Sequence, residues 1–145
     1  MPDRIASAIW EGELFTGKGT VSFESSHAVE GLPVSWPSRA ENPDGQTSPE
    51  ELIAAAHATC FSMSLSNQLK QRGSAPDRLD VTATVTIAKT EAGFGITTSA
   101  LTVRGAVPGM DEATFAEAAV AAKVGCPVSR ALQGNVEITL DAALA

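Results

Sequence analysis

The chain has 145 residues, 43% of them hydrophobic, and a formal net charge of −7. This length suits one domain, residues 1–145, with a proper core; the composition excludes wholesale disorder, and the acidic balance excludes nucleic acid and anionic membrane as partners. No basic, apolar leader opens the sequence, which predicts no secretory signal and a cytoplasmic protein.

Residues 4–11 (RIASAIWE) roughly alternate and predict a first strand, and residues 19–25 (GTVSFES) a second. Residues 26–45 read as loop, rich in Gly and Pro, with room for a short strand at 32–36. Pro43-Asp44-Gly45 is turn chemistry. It delivers the chain to the stretch around which the rest is organised, residues 47–72. Ser48 as N-cap, Pro49 in the first helical position and Glu51 three residues after Ser48 predict a helix start with a capping box. No formal charge occurs from Leu52 to Leu65. A helix apolar all round is expected to be buried all round, but this one is too short and too rich in His, Ser and Thr to span a membrane.

After a turn at 73–77, residues 79–89 (LDVTATVTIAK) alternate cleanly, with Leu79, Val81, Ala83, Val85 and Ile87 on one face. Glu91-Ala92-Gly93 predicts a hairpin turn and residues 95–107 the partner strand. Asp111 is expected to cap a helix reaching about Val124, ended by Gly125 in the left-handed conformation. Residues 128–132 form a short helix behind Pro127, and residues 135–140 a last strand. The pattern is an α+β fold with mainly antiparallel sheet. One such chain has barely enough sheet to wrap a helix about 36 Å long, so a dimer is expected.

Two cysteines in a reducing compartment are inert buried thiols or reactive ones. Cys60 lies mid-helix, where a thiol ordinarily acts as a small hydrophobe. Cys126 stands between a helix-ending Gly and a helix-starting Pro; it is either a packed loop thiol or one activated by a helix N-terminus. His57 is one turn from Cys60, and with Cys126 it raises a zinc-site option. No paired CxxC or HxxxH supports that option, and His57 reads better as a core residue whose ring is held by a hydrogen bond. Arg39 alone is a loop cation and Glu50 alone a first-turn acid. Glu50 lies ten residues before Cys60, about 15 Å along a straight helix. It cannot touch Cys60 of its own chain, but it could meet Cys60 of a second copy if two helices cross antiparallel near Ala54-Ala55-Ala56.

Two segments, TSPEELIAAAHATCFSMSLS (47–66) and KVGCPVSRAL (123–132), resemble the OsmC/Ohr family of organic hydroperoxide reductases, and the OsmC branch in particular. WEGELFTGKGTVSFES (10–25), EAGFGIT (91–97) and AVPGMDEATF (106–115) extend the resemblance along the chain. The resemblance implies an intertwined homodimer, antiparallel sheets wrapped around long central helices, and active sites at the subunit interface. It implies that Cys60 attacks the peroxide and Cys126 resolves it, and that an Arg and a Glu activate the thiolate. Glu50 matches by its spacing to the helix Cys, with Glu51 as competitor. Arg39 matches the OsmC-branch loop Arg; the Ohr branch carries its Arg nearer the N-terminus, where this chain has Lys18. The implied partners are an organic hydroperoxide and a dithiol reductant of lipoyl or thioredoxin type, with no cofactor and no metal. The substrate tail would lie against the helix and some of Phe15, Trp36, Phe61, Met63, Phe94 and Phe115. A non-enzymatic thiol redox sensor or a small-ligand-binding dimer would use the same thiols.

Overall fold

In the computed structural model, which describes residues 1–145, the chain divides into two units, Met1–Leu52 and Ile53–Ala145. The first unit holds three short strands, β1 (Ser7–Glu11), β2 (Lys18–Ser22) and β3 (Leu32–Val34), antiparallel in the order β1-β2-β3. Gly19 faces Trp10 across the ladder. A Cβ there would lie 2.7 Å from both the Ile9 carbonyl and the Trp10 ring, so the close pairing requires glycine. β1 is exposed along its whole length, and Ile9 keeps 66% of its surface open.

The segment expected to be loop contains a helix, α1 (Trp36–Ala40). Its cause is local. Ser35 and Ser38 cap each other: the Ser38 N–H donates to Ser35 Oγ at 3.2 Å and the Ser35 N–H to Ser38 Oγ at 3.0 Å. Pro37 sits in the first turn, where a missing N–H costs nothing.

The long helix, α2 (Pro49–Gln71), is continuous over 23 residues, and no helix is long and apolar enough to cross a membrane. The Glu51 N–H donates to Ser48 Oγ at 3.1 Å, the expected cap. The return arm differs from the expected box, because the Glu51 carboxylate accepts from the Thr47 hydroxyl at 2.7 Å. Burial of α2 on all sides does not occur in the single chain. Only the stripe His57, Phe61, Leu65, Leu69 is fully buried, while Ala55, Thr59 and Met63, about 200° around the helix from it, are exposed.

In the second unit β4 (Arg78–Thr90) pairs antiparallel with β5 (Gly93–Ala106), and β5 pairs parallel with β6 (Glu137–Leu144). The parallel pair departs from a simple run of hairpins. It arises because α3 (Glu112–Gly125) and α4 (Pro127–Leu132) intervene and return the chain to the same end of the sheet. The alternation in β4 works out as rows across the three strands. Leu79, Gly105 and Leu144 form one row; Val81, Val103 and Ala142 the next; then Ala83, Leu101 and Leu140; then Val85, Ser99 and Ile138. Most of these pack with Phe61, Leu65 and Leu69 of α2 and Phe115, Ala118, Ala119 and Ala122 of α3 into one core. A Cβ on Gly105 would stand 2.6 Å from the Phe115 ring, so this glycine makes the space that the ring fills.

Asp111 caps α3 as expected, accepting from the Thr114 N–H at 2.8 Å. The left-handed stop at Gly125 is not used. Gly125 stays helical, and Cys126 ends α3 with φ −63° and ψ 123° while also serving as N-cap of α4.

Candidate active site

Cys126 is held at the α3–α4 corner by local bonding. Its N–H donates to the Ala122 carbonyl at 2.9 Å, and its carbonyl accepts the Arg130 N–H at 3.0 Å. One residue thus ends one helix and begins the next, and its thiol is fully buried. Cys60, half-buried on α2, packs against the same core. Both thiols are free, and Cys60 stands close enough to Cys126 and to the Val128 backbone for both to act on its ionisation. Pro127 has no N–H to offer, so that of Val128 is the first free donor of α4. Burial pushes the Cys60 pKa above the ordinary thiol value, the hydrogen bond with Cys126 adds to the rise, and the Val128 N–H pulls the other way.

Arg39 and Glu50 form the second pair, in the unit Met1–Leu52. Arg39 Nη2 donates to Glu50 Oε1 at 2.8 Å, and Nε lies 3.1 and 3.2 Å from the two carboxylate oxygens. Glu50 is 6% exposed. The capping of α1 places Arg39 in its last turn, and the guanidinium lies 5.9 Å from the centre of the Trp36 ring, a cation–π distance. The Phe15 ring meets Trp36 edge-on at 5.6 Å. Of the two neighbouring acids, Glu50 takes Arg39 and Glu51 takes Thr47.

His57 has no exposed surface, and burial lowers its pKa. Its Nδ1 lies 2.7 Å from Ser99 Oγ and its Nε2 2.8 Å from Ser129 Oγ. Both ring nitrogens are therefore engaged by hydroxyls, which leaves none for an ion. Ser99 and Ser129 were not among the sequence candidates. One signal did exist: Ser99 interrupts the apolar row of β5 formed with Leu101 and Val103, and a polar group on a core face needs a partner. Of the six side chains offered for the wall, two lie in the core. Phe61 and Phe115 are fully buried core residues, so they cannot line an open pocket, whereas Phe15, Met63 and Phe94 are exposed.

Residues 42–141 match the family described as OsmC-like protein. The chain is 50% identical over 134 residues to Peroxiredoxin OsmC of Escherichia coli strain K12, covering 92% of this chain and 91% of that protein. It is 36% identical over 102 residues to an organic hydroperoxide resistance protein of Xanthomonas axonopodis pv. citri, covering 67% of each. The crystal structure of the organic hydroperoxide resistance protein OhrB of Bacillus subtilis superposes with a TM-score of 0.75 at 26% identity, over 95% of this chain and 97% of that one. Sequence match and fold agree, and the higher identity lies with the OsmC relative: the chain belongs to the OsmC-like protein family, on its OsmC branch.

Proposed function

We propose that the protein is a thiol-dependent peroxidase that reduces organic hydroperoxides to alcohols, working as a homodimer of one OsmC-like domain, residues 1–145, in the cytoplasm. The observation that carries this reading is the pair of free thiols, Cys60 and Cys126, near enough for one to act on the ionisation of the other. The names of the relatives, a peroxiredoxin and organic hydroperoxide resistance proteins, support it.

The Cys60 thiolate attacks one peroxide oxygen. The O–O bond breaks, an alcohol leaves with a proton from the medium, and Cys60 becomes a sulfenic acid. The Cys126 thiol condenses with that sulfenic acid, giving a disulfide and water. A dithiol of lipoyl or thioredoxin type then reduces the disulfide by exchange and is itself oxidised. Because burial disfavours the Cys60 thiolate, the reaction needs a fixed positive charge. Arg39 supplies it, and Glu50 orients the guanidinium. The exposed stripe Ala55, Thr59, Met63 on α2 and the open faces of β1 support burial against a second copy.

The test is a steady-state assay with cumene hydroperoxide and hydrogen peroxide, each with a lipoyl dithiol and with thioredoxin. The expected result is ping-pong kinetics, with a higher kcat/KM for the organic peroxide. Stoichiometric oxidation without turnover under every reductant would replace the enzyme by a thiol redox sensor.

A further inference from the structure

We propose that His57 is a positioning residue for the disulfide-forming step, holding α4 against α2 through Ser129 so that Cys126 meets Cys60 after oxidation. The proposal rests on the peroxidase reading above and assigns a role to a residue that takes no part in the chemistry.

The argument starts from spacing. His57 precedes Cys60 by three residues on α2, and Cys126 precedes Ser129 by three residues at the start of α4. Residues three apart are neighbours on a helix surface. The helices are therefore joined side by side, first by a rung from His57 Nε2 to Ser129 Oγ at 2.8 Å, and one turn on from it Cys60 stands near Cys126. The first rung is anchored behind by Ser99 Oγ of β5, 2.7 Å from Nδ1. One fully buried ring thus ties α2, β5 and α4 together. A neutral imidazole has one donor and one acceptor nitrogen, and a serine hydroxyl serves either role, so both bonds are satisfied at once.

The step that needs this frame is the second one. A sulfenic acid on Cys60 has two fates: condensation with Cys126, or attack on a further peroxide to give a sulfinic acid. The first depends on where Cys126 stands and the second does not. α4 is only six residues long and carries Cys126 at its first corner, so the bond at Ser129 adds to the backbone bonds with Ala122 and Arg130 in fixing the place of that thiol against α2. Reaction rates respond steeply to small misplacement of paired groups.

Two polar replacements separate positioning from simple core filling. A Gln amide at position 57 reaches the place of Nε2 and so keeps Ser129; an Asn amide reaches the place of Nδ1, keeping Ser99 and losing Ser129. Full-length His57→Gln, His57→Asn and Ser129→Ala proteins are reduced, then mixed with cumene hydroperoxide in stopped flow. Sulfenic acid is trapped with a dimedone-type probe, and disulfide and sulfinic acid are quantified by mass spectrometry. The expected result is that sulfenic acid forms within about twofold of the wild-type rate in all three. Disulfide formation stays near the wild-type rate in His57→Gln but slows ~10-fold or more in His57→Asn and Ser129→Ala, with Cys60 sulfinic acid at lower peroxide doses. Equal disulfide rates in His57→Gln and His57→Asn, or a wild-type rate in Ser129→Ala, would overturn the positioning role. If the His57 variants fail to fold, Ser129→Ala alone decides. A wild-type protein that forms no sulfenic acid would overturn the peroxidase reading itself, an outcome distinct from failure of the His57 role.

Discussion

Cys60 is pulled in two directions. Burial and the Cys126 thiol favour its neutral form, while the Val128 N–H favours the thiolate. One backbone donor is a small counterweight to burial, which leaves a large effect for the positive charge proposed at Arg39. Replacing Arg39 by Met is expected to raise the Cys60 pKa further and to lower kcat/KM for cumene hydroperoxide about 100-fold, the scale of losing a preorganised charge. The pH dependence of alkylation at Cys60 checks the first outcome; an unchanged titration would remove Arg39 from the mechanism. The same variant leaves the Glu50 carboxylate buried without its partner, at a cost of up to about 3 kcal/mol, so stability is to be measured alongside. Cys126→Ser is expected to allow one oxidation of Cys60, then stall and accumulate sulfinic acid, which mass spectrometry reads directly. His57 makes stability depend on pH. Its folded pKa lies below the ordinary 6.5, so between the two values the unfolded chain binds more protons than the folded one. The contribution is complete above about 6.5 and is lost as pH falls through the folded value. A urea midpoint that drops between pH 7.5 and 5 in the wild type, and drops less in His57→Gln, is the expected signature.

At the scale of elements, short-range capping sets where Arg39 stands against Glu50. Composition alone reads the α1 segment as loop, with Pro37 and Ser35 in view. The spacing Ser35 to Ser38 was the signal for a reciprocal cap, and with Pro37 in the first turn it suffices for five helical residues. Ser35→Ala is expected to cost about 1 kcal/mol, visible as a lower thermal midpoint, and to reduce activity by loosening Arg39. Gly105→Ala would drive a methyl into the Phe115 ring and is expected to cost about 1–3 kcal/mol, with Cys60 chemistry otherwise intact. The β4–β5 hairpin was legible because an alternating strand writes its buried face into the sequence. The end of α3 was not: Gly125 can take the left-handed form, but it is preceded by a helix whose next N–H, that of Cys126, still finds the Ala122 carbonyl.

At the scale of the molecule, α2 has an inner stripe and an outer one. The inner residues His57, Phe61, Leu65 and Leu69 are satisfied within the chain, while Ala55, Thr59 and Met63 face outward with little charge around them. The proposed homodimer covers the outer stripe. Met63→Glu, which places a carboxylate on that face, is expected to shift sedimentation toward monomer and to lower activity in step; an active monomer would remove the shared site. The strand faces, the long helix with its cap, and the family are legible along the chain, because periodicity, capping and motif spacing are properties of neighbours in sequence. Packing in three dimensions brings Cys60 near Cys126, gives Arg39 to Glu50 rather than Glu51, shares His57 between Ser99 and Ser129, and runs β6 parallel to β5. These are contacts between residues whose local preferences are already satisfied, so their choice rests on which faces pack together and not on any preference a residue carries alone.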